Sequence, residues 1–187
     1  MAKVLVFCEY EGGNVKKGSL ELLTAAKSSG SDVSAVAFGS GSESVAKSLA
    51  EYGADKVILC KDDKLDQYNP EVYAIALNAV VEKVAPNILL ASSTMTGRDL
   101  FPRLAAKLDC GVVSDCTSLE IDGDQVKVRR PMYAGKCTAA VEFKNSNIKM
   151  VLTRPNQLPV GEPDSSANPN LETFELPAMD IKTLVKE

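Results

Sequence analysis

The chain of 187 residues has 21 basic and 25 acidic residues, a formal net charge of −4, 45% hydrophobic residues and no histidine or tryptophan. Its length suits one domain or a domain with an appendage, and the interspersed charges form no basic stripe for nucleic acid. No apolar run approaches the roughly 18 residues of a membrane span, and without imidazole there is no Ser-His-Asp or Cys-His catalysis and no His-bearing zinc site.

The N-terminus runs straight into the apolar segment Lys3 to Cys8 without the pattern of a signal peptide, so a cytoplasmic location is expected. A continuous apolar run of this kind predicts a central parallel strand, buried on both faces. Val15 to Ser29 has helical spacing, with Leu20, Leu22, Leu23, Ala25 and Ala26 marking one face and Gly30 stopping it. Val33 to Phe38 reads as a second strand, Ser42 to Tyr52 as a short helix and Lys56 to Cys60 as a third strand. Asn69 or a neighbour is placed to cap the next helix, with Pro70 in its first turn and Pro86 beyond its end. Ile88 to Ala91 reads as a fourth strand, followed by a helix with Leu100, Phe101, Leu104, Ala105 and Leu108 on its apolar side. Strict alternation of strand and helix predicts a parallel sheet with helices on both faces.

Near residue 112 the periodicity changes. Val112 to Ile121, Gln125 to Arg130, Thr138 to Lys144 and Ile148 to Thr153 are strand-like, with turn signals at Asp122-Gly123-Asp124 and Asn145-Ser146-Asn147. They read as antiparallel hairpins added to the parallel sheet. Pro155 to Asn170 reads as a mobile loop rich in Pro, Asn, Ser and Gly. Thr173 to Leu176 reads as an edge strand, and Val185-Lys186-Glu187 end the chain without a capping element. The expected organisation is an α/β domain over residues 1–154, then a loop and linker over 155–187. The expected fold class is a three-layer α/β/α arrangement, mostly parallel and extended by antiparallel strands.

Five cysteines without CxxC spacing predict free thiols and no metal centre. Cys8 and Cys60, at strand ends, read as small buried hydrophobes. The segment Gly13-Asn14-Val15-Lys16-Lys17-Gly18-Ser19 imitates a P-loop but lacks the lysine after its second glycine, which argues against nucleoside triphosphate hydrolysis. Gly39-Ser40-Gly41-Ser42-Glu43-Ser44 approaches a dinucleotide fingerprint but replaces the last glycine by serine, and reads better as a loop with a helix cap.

Two segments carry the candidate function. In Ser92 to Arg98, hydroxyls, Gly97 and Arg98 converge on a strand-to-helix turn, where helix N–H groups can hold an anion. Thr94, Gly97 and Arg98 are therefore candidate nucleotide or flavin contacts, and ordinary capping by Thr96 or a neighbour is the alternative. In Arg129-Arg130-Pro131-Met132-Tyr133-Ala134-Gly135-Lys136, the two arginines lie on opposite faces of a strand. Pro131 and Gly135 are expected to break the pairing and leave Tyr133 on an exposed bend. Arg130, Tyr133 and Gly135 are the candidate partner interface.

A set of segments in fixed order points to one family. They are Val4-Leu5-Val6-Phe7 with Glu9 after it, Gly53-Ala54-Asp55-Lys56-Val57, Gly97-Arg98-Asp99 leading into Pro102 to Leu108, Ser114-Asp115, and Arg130 to Lys136. Together they resemble the N-terminal domain of the electron-transfer flavoprotein alpha subunit over nearly the whole chain. The resemblance implies a fold akin to adenine-nucleotide-binding domains, a beta-subunit partner and a carrier role in moving electrons from dehydrogenases, rather than catalysis by this chain. It also implies FAD in the complete protein, held mainly by a C-terminal domain that no segment here matches. The chain alone is then expected to hold no flavin. The rival expectation is a stand-alone adenine-nucleotide-binding regulatory module. It fits less well, because the first strand-to-helix turn, Glu9 to Asn14, carries two carboxylates that repel phosphate.

Overall fold

Lys3–Phe7 (β1) lies at the centre of a seven-stranded parallel sheet in the computed structural model, which describes residues 1–183. Val4, Leu5, Val6 and Phe7 are all buried, because helices cover both faces of the strand. The chain then forms a small hairpin of Tyr10–Glu11 (β2) and Asn14–Val15 (β3), helix Lys17–Ser28 (α1), and strand Asp32–Phe38 (β4). A 3₁₀ turn at Ser40–Val45 leads into helix Ala46–Glu51 (α2), followed by strand Lys56–Cys60 (β5). After a second 3₁₀ turn at Asp63–Leu65 come helix Pro70–Val84 (α3), strand Ile88–Ser92 (β6) and helix Met95–Leu108 (α4). The remaining strands are Val112–Cys116 (β7), Ser118–Asp122 (β8), Gln125–Met132 (β9), Cys137–Glu142 (β10), Lys149–Thr153 (β11) and Leu171–Thr173 (β12).

The sheet order is β12-β5-β4-β1-β6-β11-β7. Helices α1 and α2 cover one face through Leu22, Leu23, Ala26 and Leu49. Helices α3 and α4 cover the other through Val72, Leu77, Val80, Phe101 and Leu104. The three-layer α/β/α architecture expected from the alternating pattern is the one observed. Asn69 caps α3, accepting from the N–H groups of Glu71 and Val72, with Pro70 in the first turn.

Several local readings change. Val15 belongs to the hairpin and not to α1, and the helix expected at 42–52 begins as a 3₁₀ turn. The extended run from Val112 divides at Thr117 into β7 and β8, which lie in different sheets. Strand β11 is no hairpin partner: it runs parallel between β6 and β7. The antiparallel β10-β9-β8 sheet is the connection that carries the chain from β7 back to β11. A parallel pair needs such a crossover, and hairpins supply it here in place of a helix. Val126 and Val128 of β9 pack onto the α1–α2 side of the core. Pro131 does not break β9, whose pairing with β10 continues to Met132 opposite Cys137.

The segment after β11, expected as a mobile loop, is tied down as a strap. The fully buried Glu21 of α1 accepts from the N–H groups of Asn156, Gln157 and Leu158. Gly161 N–H donates to Thr24, and Asp164 N–H to the Glu51 carbonyl. The strap thus crosses the α1–α2 face to the opposite sheet edge, where β12 pairs with β5 two residues earlier than the edge strand expected at Thr173. Phe174, Leu176, Met179 and Ile181 then pack on the α3–α4 face. Thr183 bonds to Asn69 and Glu71 at the start of α3. Val185, Lys186 and Glu187 lie outside the described residues.

Candidate functional site

Strands β1 and β6 are parallel neighbours, and the chain leaves β1 towards β4 on one side while β6 leads on towards β11 on the other. This reversal creates the crevice at the strand C-termini where open α/β sheets hold ligands. Glu9 follows β1 and Thr94 follows β6, so the first and fourth strand-to-helix turns meet there.

The helix start in this crevice is taken by the chain's own side chains. Thr94 is the N-cap of α4, its Oγ1 accepting from Gly97 N–H at 3.1 Å. The same hydroxyl donates to Glu9 Oε1 at 2.6 Å. The Glu9 backbone N–H donates to Ser19 Oγ at 3.0 Å, which joins the turn to α1. Lys16 Nζ stands 4.0 Å from Glu9 and 3.5 Å from Glu11. Burial holds the Glu9 carboxyl above its ordinary range, opposed by the Thr94 hydrogen bond and the Lys16 charge. A carboxylate thus takes the hydroxyl that a phosphate at this helix start would use, and its charge repels one. The residues present do not fit the phosphate of an adenine nucleotide or a flavin at this place.

Gly97 has a packing role. A Cβ there would lie 2.2 Å from the Ser92 carbonyl oxygen. On the opposite face of the sheet, a Cβ on Gly18 of α1 would lie 2.4 Å from Ser92 Oγ. The end of β6 is therefore clamped between two helices that approach it through glycine.

Arg98 turns away from the crevice. Its Nε donates to Ser93 Oγ at 2.9 Å and its Nη2 to Asp115 Oδ1 at 3.3 Å. Asp115 also accepts two bonds from Arg154, 2.9 Å from Nε and 2.7 Å from Nη2. The Arg154 hydrogen bond and charge, with Arg98 and Arg130 adding theirs, hold the Asp115 carboxyl below its usual range. Asp115 has φ +62°, a left-handed conformation that is strained for a residue other than glycine. Sequence reasoning found Arg98 and Arg130 and quoted Asp115 only as part of a motif. It missed Arg154, which follows an apolar strand and carries no local signal of a partner 39 residues away.

Of the candidate interface residues, Arg130 lies near enough to this cluster for its charge to act on Asp115. Arg130 is half-buried on the face of β9 that carries Val126 and Val128. Tyr133 is 75% exposed at the tip of the β9–β10 hairpin. Tyr133, Ala134 and Gly135 have φ of +50°, +55° and +83°, closed by Gly135 N–H to the Met132 carbonyl. The tip is thus a left-handed turn that presents Met132 and Tyr133 to solvent.

The remaining motifs have structural roles. The P-loop-like segment forms part of the β2–β3 hairpin and the start of α1; the fingerprint-like stretch is a 3₁₀ turn in which no serine side chain caps a helix, and Ser40 donates to Asp66 through its N–H and hydroxyl. A cleft of about 460 Å³ beside Glu9 has aromatic walls of Phe7, Phe38, Tyr68 and Tyr73 and a rim with Glu11 and Asp66. Burial pushes the thiols of Cys60 and Cys116 up to about 11, so neither is a nucleophile at neutral pH. Among the described residues, no group of three His, Cys, Asp or Glu side chains is placed to hold a metal, and no helix is long and apolar enough to cross a membrane.

The family model described as electron transfer flavoprotein domain matches residues 4–179. The chain is 37% identical over 161 residues to the electron transfer flavoprotein subunit alpha of Syntrophomonas wolfei, covering 86% of this chain and 50% of that protein. It is 32% identical over 187 residues to the electron transfer flavoprotein subunit alpha of Bacillus subtilis, covering 99% of this chain and 57% of that protein. It is 34% identical over 156 residues to the acryloyl-CoA reductase electron transfer subunit beta of Anaerotignum propionicum, covering 81% of this chain and 42% of that protein. The chain spans about half the length of the curated relatives it matches.

Proposed function

We propose that this chain, which belongs to the electron transfer flavoprotein domain family, is the N-terminal scaffold half of an alpha subunit. In this reading it works in the cytoplasm, docking a beta subunit and an FAD-carrying domain that take electrons from dehydrogenases. The observation that supports a scaffold role is the carboxylate at the start of α4. The chain keeps an intact α/β/α fold, yet the Glu9 carboxylate occupies the hydrogen-bonding position at Thr94 where a bound phosphate would sit. The same observation disfavours the stand-alone nucleotide-binding module. The flavin belongs to the portion of the complete protein outside the matched half, and no electron-transfer step is assigned to a side chain of this chain. The docking surface is the edge formed by Arg98, Arg130, Tyr133 and Gly135, with Tyr133 as the exposed aromatic anchor.

Two measurements test this. The chain incubated with FAD and then desalted is expected to show no flavin absorption in the visible range; retained stoichiometric flavin overturns the scaffold reading. Mixed with a beta subunit, the chain is expected to co-elute with it in size-exclusion chromatography, and separate elution at micromolar concentration overturns the docking role.

A further inference from the structure

Arg130 is the anomaly on this surface. Its side chain is half-buried, yet among the described residues it makes no hydrogen bond and no ion pair, and its Nε is buried without a partner. A guanidinium carries five donors, and a charge withdrawn from water is expected to be paired. Asp115 is close enough to feel its charge. The oxygens of Asp115, however, are already engaged by Arg154 at 2.9 and 2.7 Å and by Arg98 at 3.3 Å. One carboxylate thus faces three guanidinium groups. The patch has a local positive excess in a chain whose net charge is −4, and such an excess steers an anionic group to it.

We propose that Arg130, together with the solvent side of Arg98, binds an acidic side chain on a partner protein, which completes the Asp115 cluster. This deepens the docking reading above and rests on it. The surroundings favour a protein carboxylate over a free phosphate. Met132 and Tyr133 are exposed close to Arg130 in the same hairpin, and Met, Tyr and Arg are the side chains that protein interfaces favour over the rest of the surface. The anchor is held in place: Asp115 is fixed by two arginines, and the hairpin tip by its left-handed turn.

The test follows the arginine Nε–H signals of the isotope-labelled chain by NMR at low salt. Hexaglutamate peptide is expected to shift the Arg130 and Arg98 signals saturably, and hexaglutamine peptide is expected not to. Arg130→Gln should weaken the hexaglutamate response of Arg98 by about tenfold. Arg98→Gln, at a half-exposed position that can be changed without disturbing the core, should weaken the Arg130 response likewise. An absent response, or one that persists unchanged in both variants, overturns the proposal. Inorganic phosphate shifting the same signals at the same concentration overturns the assignment to a protein carboxylate. A parallel measurement separates this proposal from the docking reading. If the wild-type chain binds a beta subunit and a folded Arg130→Glu variant binds equally well, the carboxylate site is wrong and the docking reading stands. If the wild-type chain does not bind the beta subunit, the docking reading fails and the peptide titration still decides the carboxylate site.

Discussion

Thr94 and Glu9 share one hydrogen bond across the strand-order reversal, 2.6 Å from Oγ1 to Oε1 and 85 residues apart in sequence. Thr94 donates to the carboxylate and accepts from the backbone of its own helix with the same hydroxyl. The bond ties the first strand-to-helix turn to the fourth at the start of α4.

Glu9 is held protonated to a higher pH in the folded chain than in the unfolded one, first because it is buried. The folded state therefore binds more protons through that window, and this contribution to stability falls as pH rises through it. Glu9→Gln removes the cost and leaves an acceptor for Thr94. Thermal unfolding is expected to show the variant at least as stable as the wild type at pH 7, with the difference shrinking towards pH 4. A variant markedly less stable at pH 7 would show that the Lys16 ion pair outweighs desolvation.

Gly97→Ala sets a methyl group 2.2 Å from the Ser92 carbonyl oxygen, a backbone atom. Neither side can yield without moving α4 off β6, so a loss of about 3 kcal/mol is expected in denaturant unfolding. A loss below about 0.5 kcal/mol would mean that the helix shifts freely.

Glu21→Gln replaces an acceptor by a donor under three backbone N–H groups. The expected cost is about 2–4 kcal/mol. Hydrogen exchange at Asn156, Gln157 and Leu158 is expected to accelerate together, and protease cleavage to appear within 155–170. If exchange there is unchanged, the strap is held by its other contacts.

Ala134→Gly relieves a left-handed alanine, φ +55°, at the hairpin tip. A gain of about 0.5–1 kcal/mol is expected. Partner association should persist, because Tyr133 and Arg130 remain. Tyr133→Ala should do the reverse, leaving stability nearly unchanged and weakening association with a beta subunit in calorimetric titration.

Much of this architecture was legible as periodicity. Continuous apolar runs such as Val4 to Phe7 marked strands buried on both faces, and Asn69-Pro70 marked the start of α3. The run Met150-Val151-Leu152 carried the same signal for β11 and was misread, because turn residues just before it suggested a hairpin. Apolar spacing reports how deeply a segment is buried; it does not report which neighbour it pairs with or in which direction.

The sequence by itself determined the parallel α/β/α class, the Asn69 cap of α3 and the family, since these depend on local spacing and on motifs read in order. Only the tertiary structure decided what the candidate residues do. Thr94 answers to Glu9, Gly97 to Ser92, Arg98 and Arg154 to Asp115, and Arg130 has no partner among the described residues. Each of those outcomes depends on which strand ends the sheet order brings together, and local composition carries no record of a partner that lies dozens of residues away.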